Sequence, residues 1–225
     1  MDFKEYDSDY FAGGNKSGYD NYETCVGVVR DMFDMLYRSL DFKPKTALDV
    51  GCAYGFSVAK LRENGIEAYG VEPPTFAYNK AKEKNWGSFI FCDYLPELGT
   101  IGKTYDLVTA VEVLEHVPKE HLKRSVERLW ELTGNTMILM PNMANDWESA
   151  KHHAENLGHS HGGGIEDVTH ISMLPKEWWE ELFTELDLQK HRMRAIEDNL
   201  NGNSYSRSMH WDGRFFVFIK NANSN

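Results

Sequence analysis

Asp49, Gly51, Ala53 and Gly55 form the pattern Asp-x-Gly-x-Ala-x-Gly between a short apolar run, Thr46–Val50, and a helical pattern that starts at Phe56. Small residues at such a junction let a ligand lie against bare backbone, and the acid beside them offers hydrogen-bond acceptors. Glu72 lies 21 residues past Gly51, closes a second apolar run and stands before Pro73-Pro74. A carboxylate at that distance accepts hydrogen bonds from ribose hydroxyls in nucleoside-binding α/β units. Two further acids, Asp93 and Glu112, each follow an apolar run, and Tyr94 is next to the first. His116 and His170 add imidazoles, which titrate near neutral pH and serve as general bases.

The spacing of the small residues narrows the ligand. They fall at i, i+2 and i+4, and the bulky Phe56 occupies i+5. A dinucleotide fingerprint needs a small residue at i+5, where the helix N-terminus receives a pyrophosphate. The pattern therefore disfavours an NAD(P)-dependent oxidoreductase.

Positioning such residues requires strands that end where they stand. Strand patterns at 46–50, 66–72, 89–91, 105–111 and 136–140 alternate with helical patterns, which implies a parallel sheet with helices on both faces. Further on, a polar stretch at 198–212 separates Leu188–Ile196 from the apolar run at Arg214–Ile219. Before the first strand, Val28, Val29, Met32, Phe33, Leu36 and Leu40 recur at helical spacing, and Pro44 marks the break. The first 22 residues hold Tyr6, Tyr10, Phe11, Tyr19 and Tyr22 among glycines. That many aromatics argues against a loose tail and for a strap or lid, whose rings would suit a cationic ligand. Residues 141–175 contain His152, His153, His159, His161 and His170 around Gly162-Gly163-Gly164. Their spacings match no standard metal-ligand pattern, so no metal is expected; a polar roof over the site and a solvated loop are the other readings.

The motif at 49–55 resembles motif I of class I S-adenosylmethionine (SAM) methyltransferases. The resemblance is closer at Tyr105-Asp106-Leu107-Val108 and Glu112-Val113-Leu114-Glu115-His116-Val117, which is similar to the ubiquinone-biosynthesis-like and sugar-modifying members. Asp167-Val168-Thr169-His170 and the Trp-rich helix after it resemble a run found in the same group. The resemblance implies a doubly wound, Rossmann-like α/β sheet of seven strands, mostly parallel, with Leu188–Ile196 and Arg214–Ile219 as the last two strands and the last one antiparallel. It implies one SAM-dependent domain over 1–225, with an N-terminal lid and helix at 1–44 and a substrate roof at 141–175. Asp49, Gly51, Ala53, Gly55, Glu72, Asp93, Tyr94, Glu112 and Tyr19 would then hold SAM. His116 and His170 would be catalytic. The reaction would move a methyl to a small molecule, first to oxygen and next to nitrogen, and release S-adenosylhomocysteine (SAH). A SAM-binding regulator or scaffold without turnover is the alternative. Ala53 in place of a middle glycine and the His-rich stretch depart from the pattern.

Composition bounds the partners. The chain has 225 residues, a net charge of −11 and only three cysteines, Cys25, Cys52 and Cys92. Such acidity disfavours nucleic acid, whose binding needs clustered Lys and Arg. No apolar run reaches the roughly 20 residues that span a bilayer, and Met1–Glu5 lacks the basic start of a signal peptide. A cytoplasmic monomer or homodimer is the expectation.

Overall fold

The computed structural model describes residues 3–13, 21–99, 103–155, 160–161, 164–165, 167–209 and 213–220, the two short pairs at 160–165 by backbone alone. In chain order the first elements are α1 (Ser8–Phe11), α2 (Val26–Arg38), β1 (Thr46–Val50), α3 (Phe56–Glu63), β2 (Glu67–Glu72) and α4 (Phe76–Lys82). Next come β3 (Ile90–Cys92), β4 (Tyr105–Val111), α5 (Lys119–Leu132), β5 (Thr133–Met140) and α6 (Trp147–Glu155). The chain closes with β6 (Ser160–His161), β7 (Gly164–Ile165), α7 (Lys176–Glu185), α8 (Arg194–Gly202), α9 (Ser204–Ser208) and β8 (Phe216–Ile219). The main sheet has the order β3-β2-β1-β4-β5-β8, parallel except for β8, while β6 and β7 pair separately.

Strand alternation sorts the side chains into two cores, because successive residues point to opposite faces. Leu48, Val108, Met137 and Phe216 face one side, where α5 and α7 deliver Val126, Leu129, Trp179 and Phe183. Ala47, Leu107, Ile138 and Val217 face the other, against Phe33 and Leu36 of α2, Val58 of α3 and Leu200 of α8. Both faces are covered, as a largely parallel sheet requires.

Among the described residues the main sheet has six strands rather than seven. Over Leu188–Ile196 a 3₁₀ turn at Gln189–His191 and the start of α8 replace the expected strand, leaving one antiparallel bridge between Arg192 and Phe218. Charge explains the difference. The Arg192 side chain is 2 % exposed and pairs with Glu197, 4 % exposed, at 2.6 Å, and with Glu180. Glu197 Oε1 then accepts the Val217 N–H at 2.9 Å. A helical carboxylate thus takes a hydrogen bond that a further strand would have supplied. The polar connection is helical over α8 and α9, as far as Ser208, with Ile196 and Leu200 of α8 packed on the sheet.

Arg192→Ala would leave Glu197 buried without its partner. Urea unfolding should show a loss of about 3–5 kcal/mol, the usual cost of breaking a buried pair. A loss below about 1 kcal/mol, the scale of an exposed pair, would show the triad to be dispensable.

Candidate functional site

The sheet order reverses between β1 and β4, whose connections leave in opposite directions. A crevice opens there beyond the carboxyl ends of the strands, the usual ligand position in this architecture. Gly51 follows β1, Glu72 ends β2, Asp93 follows β3 and Glu112 follows β4. The turn after β1 explains the alternate small residues: Gly51, Ala53 and Gly55 have φ of +74°, +47° and +76°. A side chain at Gly51 would also drive into Val113. Ala53 accepts the left-handed conformation at about 1–2 kcal/mol.

Hydrogen bonds lock this turn to its neighbours. Gly51 N–H and Cys52 N–H donate to Val71 O at 2.8 and 3.1 Å. The Ala53 N–H donates to Glu72 Oε2 at 2.9 Å, and Thr75 Oγ1 donates to Oε1 at 2.9 Å. Burial nevertheless pushes the Glu72 carboxyl up to about 7. Asp49, just before the turn, accepts from Ser57 Oγ and from Thr109 Oγ1, and burial lifts it to about 6. Asp93 accepts the Tyr94 and Gly99 N–H groups at 2.9 and 3.0 Å. Glu112, itself at φ +51°, faces Arg214 at 3.7 Å; burial raises its carboxyl, which Arg214 partly offsets.

Past β4, Glu115 is fully buried, and among the described residues neither carboxylate oxygen meets a hydrogen-bond partner of good geometry. Burial, and after it the charge of Glu112, holds this group up at about 8. His116 comes next, with Nδ1 3.1 Å from Thr169 O and 2.9 Å from Thr169 Oγ1. Its ring lies 4.8 Å from that of His170, which approaches Asp167 Oδ2 at 3.5 Å. Burial lowers His116, while burial and the neighbouring His116 hold His170 down at about 4. Both imidazoles are therefore neutral at pH 7. One ligand atom from each of Glu115, His116 and His170 lies within 4.8 Å of the other two. Metal bonds of about 2.1 Å would draw such atoms to within about 4.2 Å.

The N-terminal segment roofs the crevice. Tyr10 and Phe11 of α1 are each 4 % exposed, and Phe11 packs on Tyr54 and Tyr22 with ring centroids 5.8 and 5.6 Å apart. Tyr6 meets His116 edge-on at 5.7 Å. The cavity beneath it has a volume of about 390 Å³, within the range of small-ligand sites.

Most of the residues nominated from sequence converge on this cavity. Asp49, Gly51, Ala53 and Glu72 form one wall, and Asp93, Tyr94, Glu112 and His116 complete it. Gly55 instead caps α3, where a side chain would meet the Trp86 ring. His170 stands behind His116 and does not line the cavity. Tyr19, His159 and the side chain of His161 lie outside the described residues. Sequence reading passed over Arg214, which carried no signal, and over Asp167 and Thr169. For those two, the Asp-x-Thr-His run was the available signal.

A family model described as methyltransferase domain matches residues 27–192. The chain belongs to this methyltransferase family. No curated protein matches its sequence. Among solved structures, the plantazolicin methyltransferase BpumL with SAH covers 95 % of this chain and 95 % of its own, at 14 % identity and a TM-score of 0.59. Magnesium protoporphyrin IX methyltransferase from Synechocystis PCC 6803 with SAH covers 75 % and 73 %, at 16 % identity and a TM-score of 0.52. An O-methyltransferase family protein from Burkholderia thailandensis covers 88 % of this chain and 57 % of its own, at 15 % identity and a TM-score of 0.54. At these identities the methyltransferase domain shares their fold.

The raised Glu72 carboxyl has a consequence for folding. Its ordinary value in an unfolded chain is about 4.3, so the folded state favours the protonated acid. The stability this group contributes therefore falls as pH climbs from about 4.3 to about 7. Glu72→Gln removes the titration. In urea melts the stability of the variant relative to wild type should rise across that window and level off above it. A difference that stays constant with pH would show that Glu72 is not held up by burial.

Proposed function

We propose that this methyltransferase domain moves the methyl group of SAM to a small-molecule acceptor and releases SAH. The reading is carried by one conjunction: the left-handed Gly51–Ala53 turn and the buried Glu72 carboxylate meet on the wall of one cavity. A carboxylate offers about four lone-pair positions. Glu72 has two hydrogen bonds from the protein, which leaves capacity for both ribose hydroxyls. Gly51 and Ala53 let the cofactor lie on the backbone, and Gly55 holds the start of α3. Asp49 supports that turn from below. Asp93 and Tyr94 take the adenine end, and Glu112 takes the methionine end.

SAM supplies an electrophilic methyl group, so the protein's contribution is chiefly orientation in a site closed to water. Tyr6, Tyr10 and Phe11 exclude water from above. His116, neutral at pH 7 and open to the cavity, receives the proton of an acceptor hydroxyl; His170 behind it holds the ring pair in place. This favours O-methylation, with an amine deprotonated in advance as the next case. A peptide-like acceptor is the second reading, favoured by the 95 % mutual coverage with the plantazolicin methyltransferase.

Calorimetry tests the cofactor. SAM and SAH should bind and NAD should not, and Glu72→Ala should weaken SAH by about 1.5–3 kcal/mol, the worth of hydrogen bonds to a charged group. Absence of SAH binding by the wild type, or an unchanged affinity in folded Glu72→Ala, overturns the placement. With a methyl acceptor in hand, His116→Ala should lower turnover by roughly 10²–10⁴-fold while SAH still binds. Turnover at the wild-type rate would show that orientation alone suffices.

A further inference from the structure

The N-terminal segment is fastened on two sides of the cavity it covers. On the side of the proposed cofactor site, Tyr6 O accepts the Phe76 N–H at 3.1 Å. Phe76 opens α4, four residues past Glu72, and Phe11 packs on the rings of Tyr54 and Phe76 at 5.8 and 6.4 Å. On the opposite side, Tyr10 donates its hydroxyl hydrogen to Asp167 Oδ2 at 2.8 Å, across 157 residues of sequence. Asp167 belongs to the 141–175 stretch that the resemblance makes the acceptor's roof. Its neighbour Thr169 places a carbonyl oxygen 3.1 Å from His116 Nδ1, so a string of hydrogen bonds runs from the lid to the acceptor side.

The Asp167 anchor is held by its own loop. Oδ1 accepts the Thr169 N–H at 2.9 Å and the Thr169 hydroxyl at 2.5 Å, which leaves Oδ2 turned to Tyr10. The Asp167 side chain is 10 % exposed and Tyr10 4 %. A hydrogen bond to an anion in such a place biases the segment toward the docked position by roughly 10- to 100-fold. The contacts on the other side are mostly between rings, and aromatic pairs accept several offset and edge-on arrangements. The single direction comes from the Tyr10 hydroxyl. A phenylalanine would fill the same space and tie nothing.

We infer that the Tyr10–Asp167 bond is a latch that fastens the cofactor's lid to the acceptor's roof, so that release of the cofactor requires this bond to open. The inference rests on the proposed SAM site. The two covers then act as one: a ligand that steadies Thr169 and Asp167 from the His116 side also steadies the lid over Glu72.

Two readouts test the latch, one with ligand and one without. In the first, tritiated SAM bound to the protein is chased with excess SAH. Tyr10→Phe keeps the ring contacts and loses only the hydroxyl, and it should release SAM roughly 10- to 100-fold faster than wild type. Asp167→Ala should do the same from the other end of the bond. The double variant should be no faster than the faster single one, because both substitutions remove one interaction. The second readout is hydrogen exchange at the Phe76 amide in unliganded protein. This N–H, first in α4, has no acceptor within its helix, so its protection reports a docked segment. Exchange should quicken in Tyr10→Phe by a similar factor, while the Ile138 amide, in the middle of the sheet, keeps its wild-type rate. A tyrosine that serves only the fold would move both amides together. Wild-type SAM release in either folded variant, accelerations that multiply in the double variant, or an unmoved Phe76 amide overturns the latch. Failure of wild type to bind SAM overturns the cofactor reading alone, and the Phe76 amide still decides the latch.

Discussion

The hydrogen bond from Ala53 N–H to Glu72 Oε2 at 2.9 Å joins the two parts of the chain on which the crevice depends. Ala53 can offer its N–H there only because the turn after β1 alternates into the left-handed region, and the turn can do so only where small residues stand. Glu72 is held in a place that burial makes costly for a carboxylate. Solvation lost by the carboxylate is replaced by fixed donors, the turn on Oε2 and Thr75 on Oε1. The same bond therefore shapes the floor of the cavity and sets the charge that faces it.

A second constraint is the excess of acids around the site. Asp49, Glu72, Asp93, Glu112 and Glu115 gather at or beside the ends of four adjacent strands, and Arg214 approaches only one of them directly. Burial raises Asp49 and Glu72 to about 6 and 7 and Glu115 to about 8. Part of the negative charge is thereby removed at neutral pH, and what remains suits a cationic sulfonium. The aromatic roof fits the same demand, because ring faces attract cations while excluding water.

Much of this was legible in the chain. Gly51, Ala53 and Gly55 at alternate positions have the small side chains that left-handed backbone favours, so their pattern reported a real turn. Apolar runs ending in acids reported strand ends, because a buried parallel strand reads as a continuous apolar segment and its polar residue marks where the sheet stops. The seventh strand was misread for a different reason. The strand over Leu188–Ile196 was expected from the resemblance and not from its residues, which are mostly polar. Nothing local announces that Arg192 will bury its guanidinium against Glu180 and Glu197. That pairing involves a helix before it and one after it. The position of His170, behind rather than on the cavity, was equally invisible from its motif.

The sequence by itself determined the order of strands and helices, the left-handed turn and the residues at each strand end. These depend on side-chain size, polarity and spacing along a few neighbouring residues. Tertiary structure alone decided the number of strands, the burial that raises the carboxyls, and the string that ties Tyr10 to His116 through Asp167 and Thr169. The strand number turns on Arg192 meeting Glu180 and Glu197 from two flanking helices. The two long links of the string join residues 157 and 53 apart in a medium with little water. No local pattern encodes such meetings, because they exist only once both faces of the sheet are packed.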